Sequence, residues 1–223
     1  MRRSFVEGSC TVDEDRNRCP EGAVCDFLKV GSVGILRLVP IYFGAERDLL
    51  PPVVETLGTV FGLQVELQPL SFNPELAFDS SRGQYNSRIL LAQLLREAGP
   101  EATRVLGVAG VDLFIPVLTY VFGEAQLNGR AAVVSTHRLD CQLYGLPPNR
   151  PLLLQRLLKE VVHELGHTYN LVHCHHHPCV MMSSTYVEGI DLKSDRFCDR
   201  CLDQLRQTRS QPRGAAGGPP ATH

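Results

Sequence analysis

The chain lacks an excess of charge of either sign. Its 22 Lys and Arg stand against 24 Asp and Glu, for a formal net charge of -2. That balance removes the electrostatic footprint expected of a partner for nucleic acid or an anionic membrane. No apolar run is long enough to span a bilayer, and Met1-Arg2-Arg3 is not followed by the apolar stretch of a secretory signal. Internal repeats are also missing. With 43% hydrophobic and 21% charged residues, composition excludes disorder, collagen, coiled coil and membrane span as descriptions of the whole. A chain of 223 residues and 24.7 kDa has room for one sizeable core, or one domain with a small appendage. The expectation is a cytoplasmic globular protein, acting as a monomer.

What is present is concentrated. Of eight cysteines and eight histidines, six histidines (His163, His167, His173, His175, His176, His177) and four cysteines (Cys174, Cys179, Cys198, Cys201) fall between residues 163 and 201. Without a secretory signal, clustered thiols read as metal ligands before disulfides. Cys10, Cys19 and Cys25 lie in residues 1–31, a charged, weakly periodic stretch read as a loosely ordered extension. Cys141 reads as a lone buried or loop thiol.

Val33–Ile41 is a β-branched, strand-like run, residues 51–62 recur at helical spacing after Pro51-Pro52, and Gln64–Leu70 alternates as a strand. Ser71 to Gly83 is polar and reads as a surface loop. Residues 85–98 form a helix opened by Asn86 or Ser87 and closed by Gly99-Pro100. Strands follow at Arg104–Ala109, Val117–Ala125 and Arg130–Thr136, with Asn128-Gly129 as the turn between the last two. A long helix spans about Pro151 to Tyr169. The stretch to about Gln207 is irregular apart from one short final helix, and residues 208–223 read as a flexible tail. Alternating strands and helices predict an α/β (α+β) fold, a mixed sheet with helices packed on it.

On an ideal helix, Leu154, Leu157, Leu158, Val161, Val162, Leu165 and Tyr169 share an arc of about 140°. His163 and His167 fall on the opposite side, about 6 Å apart along the axis. Two imidazoles at that spacing can bind one zinc ion together, and Glu164 beside them can reach a water without being a ligand. This is HExxH, written His163-Glu164-Leu165-Gly166-His167. His173 follows six residues later and extends the pattern to HExxHxxGxxH, with Asn170 in the glycine position. That position must reverse the chain through a left-handed residue, and asparagine is the next best choice. Three histidines and one water make an open, catalytic zinc site.

Beyond this point the sequence resembles the archaemetzincins, a family of metzincin zinc metallopeptidases. The resemblance rests on His173-Cys174, Cys179, Met181 and Cys198-Asp199-Arg200-Cys201, which continue the zinc motif in order. Upstream it includes Gln84-Tyr85-Asn86-Ser87, Gly110-Val111-Asp112-Leu113-Phe114 and Val121-Phe122-Gly123-Glu124-Ala125. It covers roughly residues 32–207. It implies a metzincin-like zincin: a twisted, mixed five-stranded sheet, two long helices and a small irregular C-terminal subdomain. It further implies Met181, with Met182 adjacent, in a turn forming an apolar base under the imidazoles. The edge strand along which a peptide would lie is implied at Val121, Phe122, Gly123, Glu124 and Ala125. The expected organisation is an extension at 1–31, a catalytic subdomain at 32–170, a C-terminal subdomain at 171–207 and a tail at 208–223.

Cys174, Cys179, Cys198 and Cys201 form C-x4-C and C-x2-C pairs that suit a closed tetrahedral zinc site stapling the C-terminal subdomain. Two disulfides, or redox chemistry at Cys198 and Cys201, are the alternatives. His175, His176 and His177 read as an exposed polar loop. The function these residues predict is peptide-bond hydrolysis with two zinc ions per chain and Glu164 as general base. The alternative is a non-proteolytic zinc protein that binds a partner peptide; an intact Glu164 argues against it.

Overall fold

Along three parallel strands, alternate side chains pack into two different cores, one on each face of a sheet. The structure is a computed structural model describing residues 34–44 and 46–210; the N-terminal extension with Cys10, Cys19 and Cys25, and the tail past residue 210, lie outside the described residues. In chain order the elements are β1 (Ile35–Ile41), α1 (Leu50–Phe61), β2 (Gln64–Leu67), β3 (Phe78–Asp79), β4 (Gln84–Asn86), α2 (Ser87–Ala98), β5 (Arg104–Ala109), β6 (Leu113–Phe114), β7 (Gly123–Ala125), β8 (Ala131–Ser135), α3 (Arg150–Thr168), α4 (Val187–Leu192) and α5 (Asp199–Ser210). The main sheet has the order β2-β1-β5-β8-β7. Its first four strands are parallel, and β7 closes the edge antiparallel to β8.

β5 and β8 are buried along their whole length, which is why they read as near-continuous apolar runs. Leu36, Leu38, Leu106, Val108, Ala132 and Val134 meet α1 and α3 on one face. Their neighbours Val39, Ile41, Val105, Ala109, Ala131 and Val133 meet α2 on the other. Each fully buried leucine, such as Leu57, Leu94 or Leu157, contributes ~1.5–3 kcal/mol of transfer free energy. The helices start where their caps stand. Asn86 accepts from Arg88 N at 3.1 Å to open α2. Asn149 accepts from Leu152 N at 3.1 Å to open α3, with proline in its first turn.

Three expectations are corrected. The Ser71–Gly83 loop carries a short 3-10 turn capped by Asn73 and then β3, which pairs with β4 in a second sheet, β3-β4-β6. Two-residue strands are too short to show a period of two. The strand expected at Val117–Ala125 is regular only over Gly123–Ala125, with one isolated bridge from Val121 to Leu113. Pro116 and the turn closed by Leu118 N on Ile115 O (3.0 Å) occupy its first half. Finally, the C-terminal region holds two helices rather than one, and α5 continues over Thr208–Ser210.

Polar side chains of α3 fasten α4. Arg156 grips both Asp191 oxygens at 2.8 and 2.7 Å and donates to Leu139 O at 2.7 Å. Lys159 donates to Ile190 O at 2.9 Å and Asp191 O at 3.0 Å. Lys193 sits 2.6 Å from Glu160, both almost wholly buried. The side of α3 opposite the sheet is therefore covered over Arg156–Glu160, ahead of the histidines.

Candidate metal centres

The end of α3 decides where the third histidine goes. Asn170 takes φ 64, the left-handed conformation expected at the glycine position. Its N–H bonds His167 O at 2.9 Å, and Leu171 N reaches back to Gly166 O at 3.3 Å, the 6→1 closure of a Schellman motif. The reversal brings His173 against the helix it just left. The ring centroids of His163, His167 and His173 then lie 4.7, 5.0 and 5.4 Å apart.

Two backbone carbonyls orient the first two rings. His163 Nδ1 lies 2.9 Å from Val180 O, and His167 Nδ1 lies 2.7 Å from Leu171 O. A carbonyl can only accept, so each Nδ1 carries the proton and each Nε2 turns a lone pair inward. Those two Nε2 atoms are 3.1 Å apart, against the roughly 3.4 Å expected for a tetrahedral zinc with Zn–N of about 2.0–2.1 Å. Burial holds the imidazoles neutral: His163 is far below its usual pKa, His167 is lowered to about 4, and His173 is lowered too. Neutral rings with converging lone pairs are what a dication needs.

Glu164 is buried beside the triad and abuts the edge strand. A Cβ on Gly123 would lie 2.6 Å from Glu164 Cγ and 2.8 Å from its Oε1, so only glycine lets β7 approach so closely. Burial pushes the Glu164 carboxyl well above the usual range, and Glu160 one turn earlier adds to this. The same requirement holds under the rings. Met181 is fully buried, and its sulfur sits 2.7 Å from where a Cβ on Gly166 would be. The glycine inside the helical motif thus makes room for the methionine.

A cleft of about 360 Å³ opens over this group, lined by Gly123, Ala125, Leu127, Glu164, His167 and Val172 among others. The hydrogen-bond pattern of β7 shows how much of its edge is free. Phe122 O accepts from Ser135 N and Gln126 N donates to Ala131 O, so even-numbered residues face β8. Odd-numbered Val121, Gly123 and Ala125 face outward. Val121 N is taken by Leu113 O at 3.0 Å, and beyond Ala125 the hairpin folds onto α3 through Asn128 N to His167 O, also 3.0 Å. The open edge is confined to Gly123 and Ala125.

The four cysteines form a second cluster. Their sulfurs lie within 4.8 Å of one another and none is oxidised. Cys174 and Cys198 are 3.7 Å apart, far beyond a disulfide bond and close to the ~3.8 Å edge of a tetrahedron with Zn–S of about 2.3 Å. Two backbone amides point at sulfur, His176 N at Cys174 and Cys198 N at Cys179, both at 3.4 Å. Burial pushes the Cys179 and Cys201 thiols upward in pKa, a cost that a bound dication reverses. His175, His176 and His177 are exposed and join neither cluster.

The family model "Peptidase family M54" matches residues 74–207. The chain belongs to peptidase family M54. Within that family it is 41% identical over 160 residues to the archaemetzincin of Methanocaldococcus jannaschii, covering 71% of this chain and 86% of that protein. The crystal structure of the Methanopyrus kandleri archaemetzincin is similar with a TM-score of 0.71 at 37% identity, covering 82% of this chain and 98% of the other. A zinc-dependent peptidase from Methanocorpusculum labreanum gives a TM-score of 0.66 at 28% identity, covering 76% and 99%. This archaemetzincin-type chain is accordingly a zinc metallopeptidase with the mixed five-stranded fold its sequence resembled. No helix among its described residues is long and apolar enough to cross a membrane.

Sequence reasoning did not find every residue that shapes this M54 site. Val180 O and Leu171 O act through backbone, which leaves no trace in residue type. Gly166 and Gly123 matter through contacts made across the fold. The signal for Arg156, Lys159 and Glu160 was there, as charges at i, i+3 and i+4 on the face that carries the motif. They were not singled out, because a pattern marks a face as polar without saying what covers it.

Proposed function

We propose that His163, His167 and His173 hold a catalytic zinc, that Cys174, Cys179, Cys198 and Cys201 hold a structural one, and that Glu164 is the general base for peptide-bond hydrolysis. The observation carrying this reading is the placement of Glu164 between three converging neutral imidazoles and the free edge at Gly123. Zinc supplies Lewis acidity toward a carbonyl and toward water when bound there. Glu164 accepts a proton from the attacking water as the C–O bond forms. It passes that proton to the amine nitrogen as the C–N bond breaks. Gly123 and Ala125 offer outward N–H and C=O groups to an extended peptide, while the exposed side chains of Leu127 and Val172 give the rim an apolar character. Met181 forms the apolar base beneath the rings.

In this reading residues 32–170 are the catalytic subdomain, and residues 171–207 form a smaller one stapled by the cysteine-bound zinc. Free thiols suit a reducing cytoplasm, and the protein acts as a monomer. The test is hydrolysis of a diverse peptide library by zinc-loaded protein beside Glu164→Ala, with zinc counted in both. The wild type is expected to cleave, and the variant to lose about 10²–10⁴-fold in rate while keeping both ions. Full zinc with no cleavage by either protein would instead favour a peptide-binding role.

A further inference from the structure

A second cavity, of about 650 Å³ and larger than the histidine cleft, lies past the carboxyl ends of β5 and β8, lined by Arg82, Gln84, Asp112, Thr119, His137 and Arg138 among others. Gln84-Tyr85 and Gly110-Val111-Asp112, which the resemblance set apart, border this cavity rather than the zinc cleft.

Its two arginines are held rigidly. Arg138 forks onto Asp112 at 2.7 and 2.6 Å, and its guanidinium lies 4.0 Å above the Tyr120 ring. Arg82 donates to Leu118 O at 2.9 Å, Thr119 O at 3.0 Å and Gln84 at 3.0 Å, with its guanidinium 4.2 Å over Phe114. Gln84 completes the frame by donating to Asp112 at 2.8 Å and Thr119 O at 3.0 Å. In each arginine, Nε and Nη2 make these contacts. Nη1 has no protein partner among the described residues. Among the lining residues two guanidinium groups stand against one carboxylate, with the His137 ring beside them, while Asp79 and Glu75 lie behind Arg82 and Tyr85. Fixed forks with unused donors are suited to a carboxylate.

The cavity adjoins the cleft. Thr119 on its wall precedes Gly123 by four residues, at most about 13 Å of chain. Tyr120 follows Thr119 in this short segment: Arg138 stacks on it, its ring packs against that of Phe122, and its hydroxyl donates to Thr185 O at 2.9 Å. The Val121–Leu113 bridge ends the free edge just before this point.

We infer that this cavity binds a carboxylate of the peptide substrate, on an acidic side chain or at the chain end, within about four residues of the scissile bond. The inference rests on the peptidase reading above, so it is tested without turnover. Full-length, zinc-loaded Glu164→Ala protein is titrated with fluorescent peptides carrying Asp or Glu against Asn or Gln at successive positions, and a free against an amidated C-terminus. Acidic peptides are expected to bind about tenfold more tightly than their amides. Whether side chain or terminus carries that preference identifies the source. Adding Arg82→Gln should bring the acid-to-amide ratio toward one. Arg138→Lys, which keeps a cation for Asp112 and hence the fold, should lower it. Equal binding of acid and amide, or a ratio untouched by Arg82→Gln, would overturn the inference. Cleavage by the wild-type enzyme is scored separately. A protein that prefers acids but cleaves nothing loses the hydrolytic assignment and keeps the pocket.

Discussion

The two clusters of metal-ligating residues differ in what surrounds them. The histidines converge from one rigid helix and the turn that ends it, beside a buried carboxylate and below an open cleft. The cysteines come from two loop positions, the residue before α5 and its first turn, with backbone amides at the sulfurs. A rigid ligand set with an open side suits chemistry. A set drawn from segments with little core of their own suits holding them together. The clusters meet at one peptide bond, His173-Cys174, so under the proposed reading a staple at the cysteines would also fix the third histidine.

Breaking the staple should have the largest effect. Cys198→Ser removes one of four sulfur ligands from the proposed site, where zinc would contribute on the order of 10 kcal/mol of binding free energy. Thermal unfolding with metal analysis should show one zinc fewer, a steep fall in melting temperature, and weaker binding at the histidines through His173. Unchanged stability would mean the cysteines are not a staple.

Acid should act on the other cluster. In the metal-free protein, His167 has its pKa lowered from 6.5 to about 4 by burial, so below pH 6.5 the unfolded chain takes up a proton that the folded one refuses. Stability is then whole above about pH 6.5 and is lost as pH falls toward 4, by about 3 kcal/mol for this residue alone. Melting temperatures across that window should fall with pH, and zinc should raise them while steepening the slope, because zinc-bound imidazoles take up no proton in the folded state. A third, smaller change sharpens the packing contrast. Gly166→Ala places a Cβ 2.7 Å from the Met181 sulfur and should cost ~1–3 kcal/mol by overpacking, weakening zinc at the histidines more than at the cysteines.

Both clusters were legible in the sequence because ligand chemistry requires particular residues at particular spacings. Asn170 was legible for a similar reason, since few residues adopt a positive φ. The main helices and buried strands followed from periodicity and, for α2, from the cap at Asn86. The small sheet β3-β4-β6 was not visible, because Phe78–Asp79 and Leu113–Phe114 are too short for a pattern. The covering of α3 by α4 was hidden for a different reason. Arg156, Lys159 and Glu160 are buried by partners some thirty residues away, at Ile190, Asp191 and Lys193.

The most direct test of the division of labour is to titrate zinc into metal-free protein while following melting temperature and peptide hydrolysis together. The first equivalent is expected to fill the cysteines, raising the melting temperature without activity. The second should then bring hydrolysis with a smaller gain in stability. Activity that grows with the first equivalent while stability stays flat, or stability complete at two equivalents with no hydrolysis of any peptide, would contradict it.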